Sequence, residues 1–324
     1  MNGERFGNVL RSSVLALALS ASASSAALAS YTQVVFFGDS LSDTRNLYLS
    51  TGNTFPVSPP YFDGAFSNGP LWTEILAGHL GLSATPSLLG GTNFAWAGAT
   101  VIDYGRPQPE IPQQLAQYLG TVGNVADPAA LYVILGGGND VNDAGDDPAT
   151  APANIVAAAN AVDGMVDALY AAGARNILVG NLPDVGKTPL AAAGGPASAA
   201  GATFLTNLFN ATLEGLLDDD MAAFAGLDLY RLDLNTLLDS VIADAAAYGF
   251  SNVTDACKSG DLGLPGPVCA TPDSYLFWDA FHPSARAHRL IANAAFAAVP
   301  EPASLALLAV ALAALGFSRG RKAR

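Results

Sequence analysis

The sequence predicts an α/β protein, a three-layer α/β/α sandwich around a parallel sheet of about five strands in flavodoxin-like order. Three observations predict it. Short apolar runs alternate with longer helix-period stretches along most of the chain, the pattern of strands joined by crossover helices. Runs such as Val34-Val35-Phe36-Phe37 are continuously apolar, as strands buried on both faces require. Turns rich in Gly, Ser and Asn stand directly after several runs, at the edge where open α/β sheets place ligands.

Taken in order, the strand-like runs fall at 33–37, 92–95, 131–135, 176–180 and 228–232. Helix-period stretches cover 71–80, 111–119, 154–172, 203–224 and 234–248. A last helix is expected over 284–297, with Ser284 near its N-cap, where a hydroxyl can accept an unpaired backbone N–H. Residues 51–69 and 183–201 read as loops, the second with an Ala/Gly-rich centre. Neither reads as a domain linker, and no repeat of fixed period appears.

The two ends read as processing segments. In residues 1–29, Arg5 and Arg11 precede an apolar stretch and small residues ending Ala27-Leu28-Ala29, the order of a signal peptide. Near the other end, Pro300-Glu301-Pro302 leads into an uncharged segment over 305–317, then Arg319, Arg321, Lys322 and Arg324. That segment is shorter than the ~20 residues that comfortably span a bilayer. Residues 299–324 resemble the PEP-CTERM sorting tail of Gram-negative bacteria. The resemblance implies transient membrane contact, handling by export and sorting machinery, and delivery to the outer surface or an extracellular matrix. Residues 30–298 are expected to form one domain.

Charge and cysteine usage narrow the function. The chain has 14 basic and 28 acidic residues; between the two end segments the balance is 8 to 26, a net −18. Such a surface repels nucleic acid, which is excluded as a partner. Cys257 and Cys269 are the only cysteines and lie in a Gly/Pro-rich stretch. In an exported protein they are expected to form one disulfide, stapling the loop before Asp279. With three histidines and no His-Glu-x-x-His, neither a metal site nor a cofactor is expected.

The chemistry concentrates in four short blocks. Ser40 follows the first apolar run, in Gly38-Asp39-Ser40-Leu41-Ser42-Asp43. A serine hydroxyl is a weak nucleophile until a base takes its proton, and the base must itself be held by a third group. His282 is the natural base. Asp279, three positions earlier, could turn back to fix its tautomer. An acyl-transfer intermediate also needs donors for its oxyanion. Ser40's own N–H, the N–H of Gly98 and the side-chain amide of Asn139 are the candidates.

Together these blocks resemble the GDSL/SGNH hydrolase family over nearly all of 30–298. Gly38 to Asp43 resembles the nucleophile block, and Phe66-Ser67-Asn68-Gly69-Pro70-Leu71-Trp72 a segment of its secreted lipase-like branch. Asn93-Phe94-Ala95-Trp96-Ala97-Gly98-Ala99 is similar to the glycine block, and Gly137-Gly138-Asn139-Asp140 to the Gly-x-Asn-Asp block. Asn181-Leu182-Pro183 resembles the family's Asn-Leu-Pro turn, and Asp279 to His282 its closing Asp-x-x-His. The resemblance implies the SGNH hydrolase fold, Ser40 as nucleophile, His282 as base and Asp279 as its partner. It also implies an oxyanion hole of Ser40, Gly98 and Asn139. Arg45 stands where the family usually has glycine.

Other patterns carry less. Gly180 to Thr188 misses a phosphate-binding loop because Asn181 replaces its first glycine. Asp140 to Gly145 misses a calcium loop because Ala144 replaces an oxygen ligand. No Gly-x-Ser-x-Gly occurs, which argues against the α/β-hydrolase elbow. His79 and His288 read as structural, and Trp96 and Trp278 as core residues that could border an acyl pocket. The expected activity is a secreted serine ester hydrolase, lipase- or esterase-like, acting on lipid or acetylated polysaccharide esters. The alternatives are an exopolysaccharide O-acetyl esterase or acyltransferase with the same residues, and, in another class, a non-catalytic matrix scaffold.

Overall fold

The structure, a computed structural model, describes residues 31–145 and 147–299. The signal peptide expected at 1–29 and all of the expected tail beyond Val299 lie outside the described residues. In chain order the elements are β1 (Val34–Gly38), α1 (Asn46–Ser50), α2 (Trp72–His79), α3 (Ile111–Thr121), β2 (Leu131–Leu135) and α4 (Gly138–Ala144). They continue with α5 (Ala151–Ala172), β3 (Asn176–Gly180), α6 (Pro189–Ala193), α7 (Pro196–Ala223), β4 (Asp228–Leu232) and α8 (Leu234–Ala243). Two short strands, β5 (Asn252–Ala256) and β6 (Tyr275–Phe277), precede the final helix α9 (Ala285–Ala298).

Four strands pair in the order β1-β2-β3-β4, all parallel. Val34 stands opposite Leu131, Leu131 opposite Asn176, and Asn176 opposite Asp228, so the strands start level and end level. The fifth strand expected at 92–95 is a correction. That segment runs beside β1 and bonds it, with Phe36 N–H donating to Thr92 O at 3.1 Å and Phe94 N–H to Phe36 O at 2.8 Å. It forms only isolated bridges, to Phe36 on one side and to Pro86 on the other, where Asn93 N–H donates to Thr85 O and Ser87 N–H to Asn93 O. Asn46 Nδ2 donates to the carbonyls of Asn93 and Ala95, both at 2.9 Å, and the Ala95 N–H donates to Asn93 Oδ1. With this segment counted, the order is flavodoxin-like.

Side chains alternate across the sheet and so face two helical layers. Val35, Phe37, Tyr132, Ile134, Ile177 and Val179 pack against α3, α4, α5 and α7. On the other face Phe36 meets Trp72 of α2 edge-on, with ring centroids 5.9 Å apart. Val241 of α8, Leu276 and Phe277 of β6 and Ala287 of α9 cluster on that side too.

Residues 183–201, expected as a loop, instead hold α6 and the start of α7. Thr188 Oγ1 accepts the Ala191 N–H at 3.2 Å, Pro189 opens α6 and Pro196 opens α7. A cap, a first-turn proline and a run of alanine are helix-forming signals that outweigh the interspersed glycines. In the other direction, α8 stops at Ala243, five residues short of its expected end.

Helices α5 and α7 carry an electrostatic load. Burial, then the charges of Asp163 and Asp167, push the Asp220 carboxyl up to about 7. The folded chain thus holds a proton there that the unfolded chain releases near 3.8. That contribution to stability is complete below 3.8 and is lost as pH rises toward 7. Asp220→Asn should therefore raise the melting temperature relative to the unsubstituted protein by more at pH 8 than at pH 5. An increment independent of pH would contradict this.

Candidate active site

Ser40 is placed by the abrupt end of β1. Gln114 of α3 grips the last residue from both sides, accepting the Gly38 N–H and donating to Gly38 O, each at 2.9 Å. A Cβ on Gly38 would lie 2.5 Å from Leu135 O, so the closeness of β1 and β2 there requires glycine. The chain then turns at once, with the N–H groups of Ser42 and Asp43 both donating to Asp39 O. As in the first turn of any helix, the preceding N–H is left over, and the Ser40 N–H has no protein acceptor among the described residues.

His282 reaches the same spot from a tight loop between β6 and α9. The Trp278 N–H donates to His282 O at 2.8 Å, and Asp279 Oδ1 accepts the N–H groups of Phe281 and His282 at 2.9 and 2.7 Å. The imidazole is thereby pinned with Nδ1 2.9 Å from both Asp279 oxygens and Nε2 2.8 Å from Ser40 Oγ. A proton held on Nδ1 by the carboxylate leaves Nε2 as an acceptor for the hydroxyl, the arrangement that general-base activation requires. Burial alone would push the Asp279 carboxyl up, but the facing His282 and the loop N–H groups more than offset this, leaving it below the ordinary carboxylate range. The segment resembling the lipase-like branch supports the loop. The Phe66 ring lies 4.8 Å from the imidazole, Ser67 Oγ donates to Pro283 O, and the Ala285 N–H donates to Asn68 Oδ1.

Gly98 and Asn139 are brought together by the loop that follows the edge segment. Gly98 has φ +80° in a turn closed by the Ala99 N–H donating to Trp96 O, so glycine is needed there. Its own N–H has no protein acceptor among the described residues. Asn139 Nδ2 donates one bond to Ala99 O at 2.8 Å. Asp140, buried, accepts the N–H groups of Val101 and Ile102, tying α4 to this loop. Asp43 does the same one layer over, accepting from Arg45, Asn46, Leu47 and Ala97. Arg45 itself takes φ +115°, the conformation that glycine adopts without strain, so the replacement leaves the backbone path intact.

The remaining candidates settle into structural places. His288 is buried, accepts the Trp72 N–H at Nδ1, and is pushed down to about 3 by burial. His79 stacks on Phe296. Trp278 belongs to a core cluster with Tyr61 and Phe66, and Trp96 packs on the main core. Cys257 and Cys269 are joined in a disulfide, as expected. Among the described residues, no group of three or more His, Cys, Asp or Glu could hold a metal ion.

Tyr61 and Lys258 were not anticipated. Tyr61 Oη donates to Asp279 Oδ2 at 2.7 Å and accepts the Gly263 N–H at 2.9 Å. Lys258, fully buried, lies over the Tyr61 ring at 5.3 Å and donates to Asp261 O. Both Lys258 and Gly263 sit within the loop that the disulfide closes. Tyr61 stands in a proline-rich loop 218 positions from Asp279, and no local pattern links the two. Tyr61→Phe should cost about 1.5–3 kcal/mol in urea unfolding at neutral pH, the scale of a bond to a buried charge. Because Asp279 titrates below 3.8 when folded, the loss should fade as pH falls under that value. No loss at neutral pH would show the bond to be dispensable.

Comparison with known proteins gives the family. The model of the GDSL-like Lipase/Acylhydrolase family matches residues 34–295, and the PEP-CTERM protein-sorting motif matches 298–322. Lipase 1 of Photorhabdus luminescens is 30% identical, the match covering 90% of this chain and 54% of that protein. The chain thus spans about half the length of that relative. Phosphatidylcholine-sterol acyltransferase of Aeromonas hydrophila is 28% identical over 79% of this chain and 74% of that protein. Among solved structures, the acetyl xylan esterase AlAXEase matches with a TM-score of 0.43 and 14% identity, over 83% of this chain and all of that one. The sorting motif marks a protein exported in a Gram-negative bacterium to the outer surface or extracellular space. The chain belongs to the GDSL-like lipase/acylhydrolase family and carries a PEP-CTERM sorting motif.

Proposed function

We infer that the protein hydrolyses carboxylic esters through an acyl-Ser40 intermediate. The observation that carries this reading is the unbroken line from Asp279 through His282 to Ser40 Oγ, with both heavy-atom separations under 3 Å. Ser40 Oγ attacks the ester carbonyl while His282 Nε2 takes its proton. Asp279 holds the ring and offsets the charge of the imidazolium. The oxyanion is received by the N–H groups of Ser40 and Gly98 and by the Asn139 amide, which keeps a second proton beyond the one given to Ala99 O. His282 returns the proton to the departing alkoxide. Water, deprotonated by the same nitrogen, then releases the acid and restores Ser40.

A second reading is transfer of the acyl group to an alcohol in place of water. It is favoured by the relative named phosphatidylcholine-sterol acyltransferase, and it needs the same intermediate.

Ser40→Ala and His282→Ala should each remove nearly all ester turnover while circular dichroism stays that of the parent. Substantial residual turnover in either folded variant would sink the assignment. Asn139→Ala should lower kcat by on the order of a hundredfold or more. An unchanged kcat would make Asn139 a tie to Ala99 and nothing else.

A further inference from the structure

A largely apolar cavity of about 90 Å³ lies on the sheet face covered by α8 and α9. Leu237, Leu238 and Val241 of α8 wall one side, and Ala287, Leu290 and Ile291 of α9 the other. Its upper end is lined by Asp39 and Leu41, the two chain neighbours of Ser40, and by Phe281 and Pro283, the two neighbours of His282. That end of the cavity therefore lies beside the Ser40–His282 pair, lined by their chain neighbours. Several of its polar groups are engaged within the protein. Asp39 Oδ1 accepts the Leu41 N–H, Asp184 Oδ1 accepts from Gly186 and Thr203, and Thr188 Oγ1 bonds Val185 and Ala191. With little polar surface in the lining, an apolar occupant is favoured over water.

We propose that this cavity between α8 and α9 is the acyl-chain site, and that it takes the hydrocarbon part of a short aliphatic acyl group. The proposal rests on the ester-hydrolase reading and adds the substrate class. Size bears on the length: 90 Å³ is well short of the ~150 Å³ of a cavity that accepts benzene. Three or so methylenes beyond the acetyl carbon fit, which makes the chain about five carbons long. Trp96 and Trp278, read from the sequence as core residues that could border an acyl pocket, take no part in the lining.

The test is kcat/KM on p-nitrophenyl esters from acetyl to hexadecanoyl, using the purified full chain beside Val241→Phe and Leu237→Ala. Each buried methylene should raise kcat/KM about fourfold. The profile should climb from acetyl to about pentanoyl and rise no further. Val241→Phe fills part of the cavity and should bring pentanoyl turnover down toward that of acetyl. Should Val241→Phe fail to fold, Leu237→Ala, which widens the cavity, should extend the climb by two or more carbons. A profile flat from acetyl onward, one still rising at hexadecanoyl, or one that neither variant moves would overturn the proposal while leaving the esterase reading standing. Absence of Ser40-dependent turnover on every ester would overturn both.

Discussion

Buried aspartates that accept backbone N–H groups hold the carboxyl edge of this sheet together. Four strands end level there, and the loops that leave them run separately, with little secondary structure to bind one to another. Asp43 joins the turn after β1 to Ala97, and Asp140 joins α4 to residues 101 and 102. Asp279 closes the 279–282 turn on itself and then reaches Tyr61. Leaving such N–H groups unpaired in the interior would cost about 1–3 kcal/mol each. The loops are thus fixed relative to one another by groups that nothing nearby can replace.

The same device sorts the carboxylates electrostatically. Burial pushes Asp43 and Asp140 up to about 6 in spite of their N–H partners, whereas Asp279 is drawn below its ordinary value because His282 faces it. In the proposed reaction, the carboxylate that faces the imidazolium is the one held below its ordinary range. Those with purely architectural partners sit closer to neutrality. Lys258 and the disulfide-closed loop extend this control outward, since the Gly263 N–H that steadies Tyr61 comes from that loop.

Much of this was legible in the sequence, for identifiable reasons. The strands at 131–135 and 176–180 are apolar on every residue that the sheet buries, and the structure has them within those bounds. Ser40, Asp279 and His282 stand in short blocks whose spacing is itself chemical, and all three meet. Residues 92–95 have a strand's composition but end as isolated bridges, their outer edge shared between the backbone at 85–87 and the Asn46 amide. Residues 183–201 read as a loop through their glycines, whereas the folded segment follows its alanines, the cap at Thr188 and the first-turn prolines Pro189 and Pro196. Tyr61 and Lys258 gave no signal: a tyrosine among prolines and a lysine beside a cysteine acquire meaning only once the chain is folded.

The central claim is that Ser40, alone among the serines, is made nucleophilic by its bond to His282. A fluorophosphonate ester followed by peptide mass spectrometry tests it most directly. The account predicts one adduct per chain, on Ser40, formed rapidly in the parent protein and not in folded His282→Ala. Equal labelling of the His282→Ala variant, or an adduct on another serine, would contradict it.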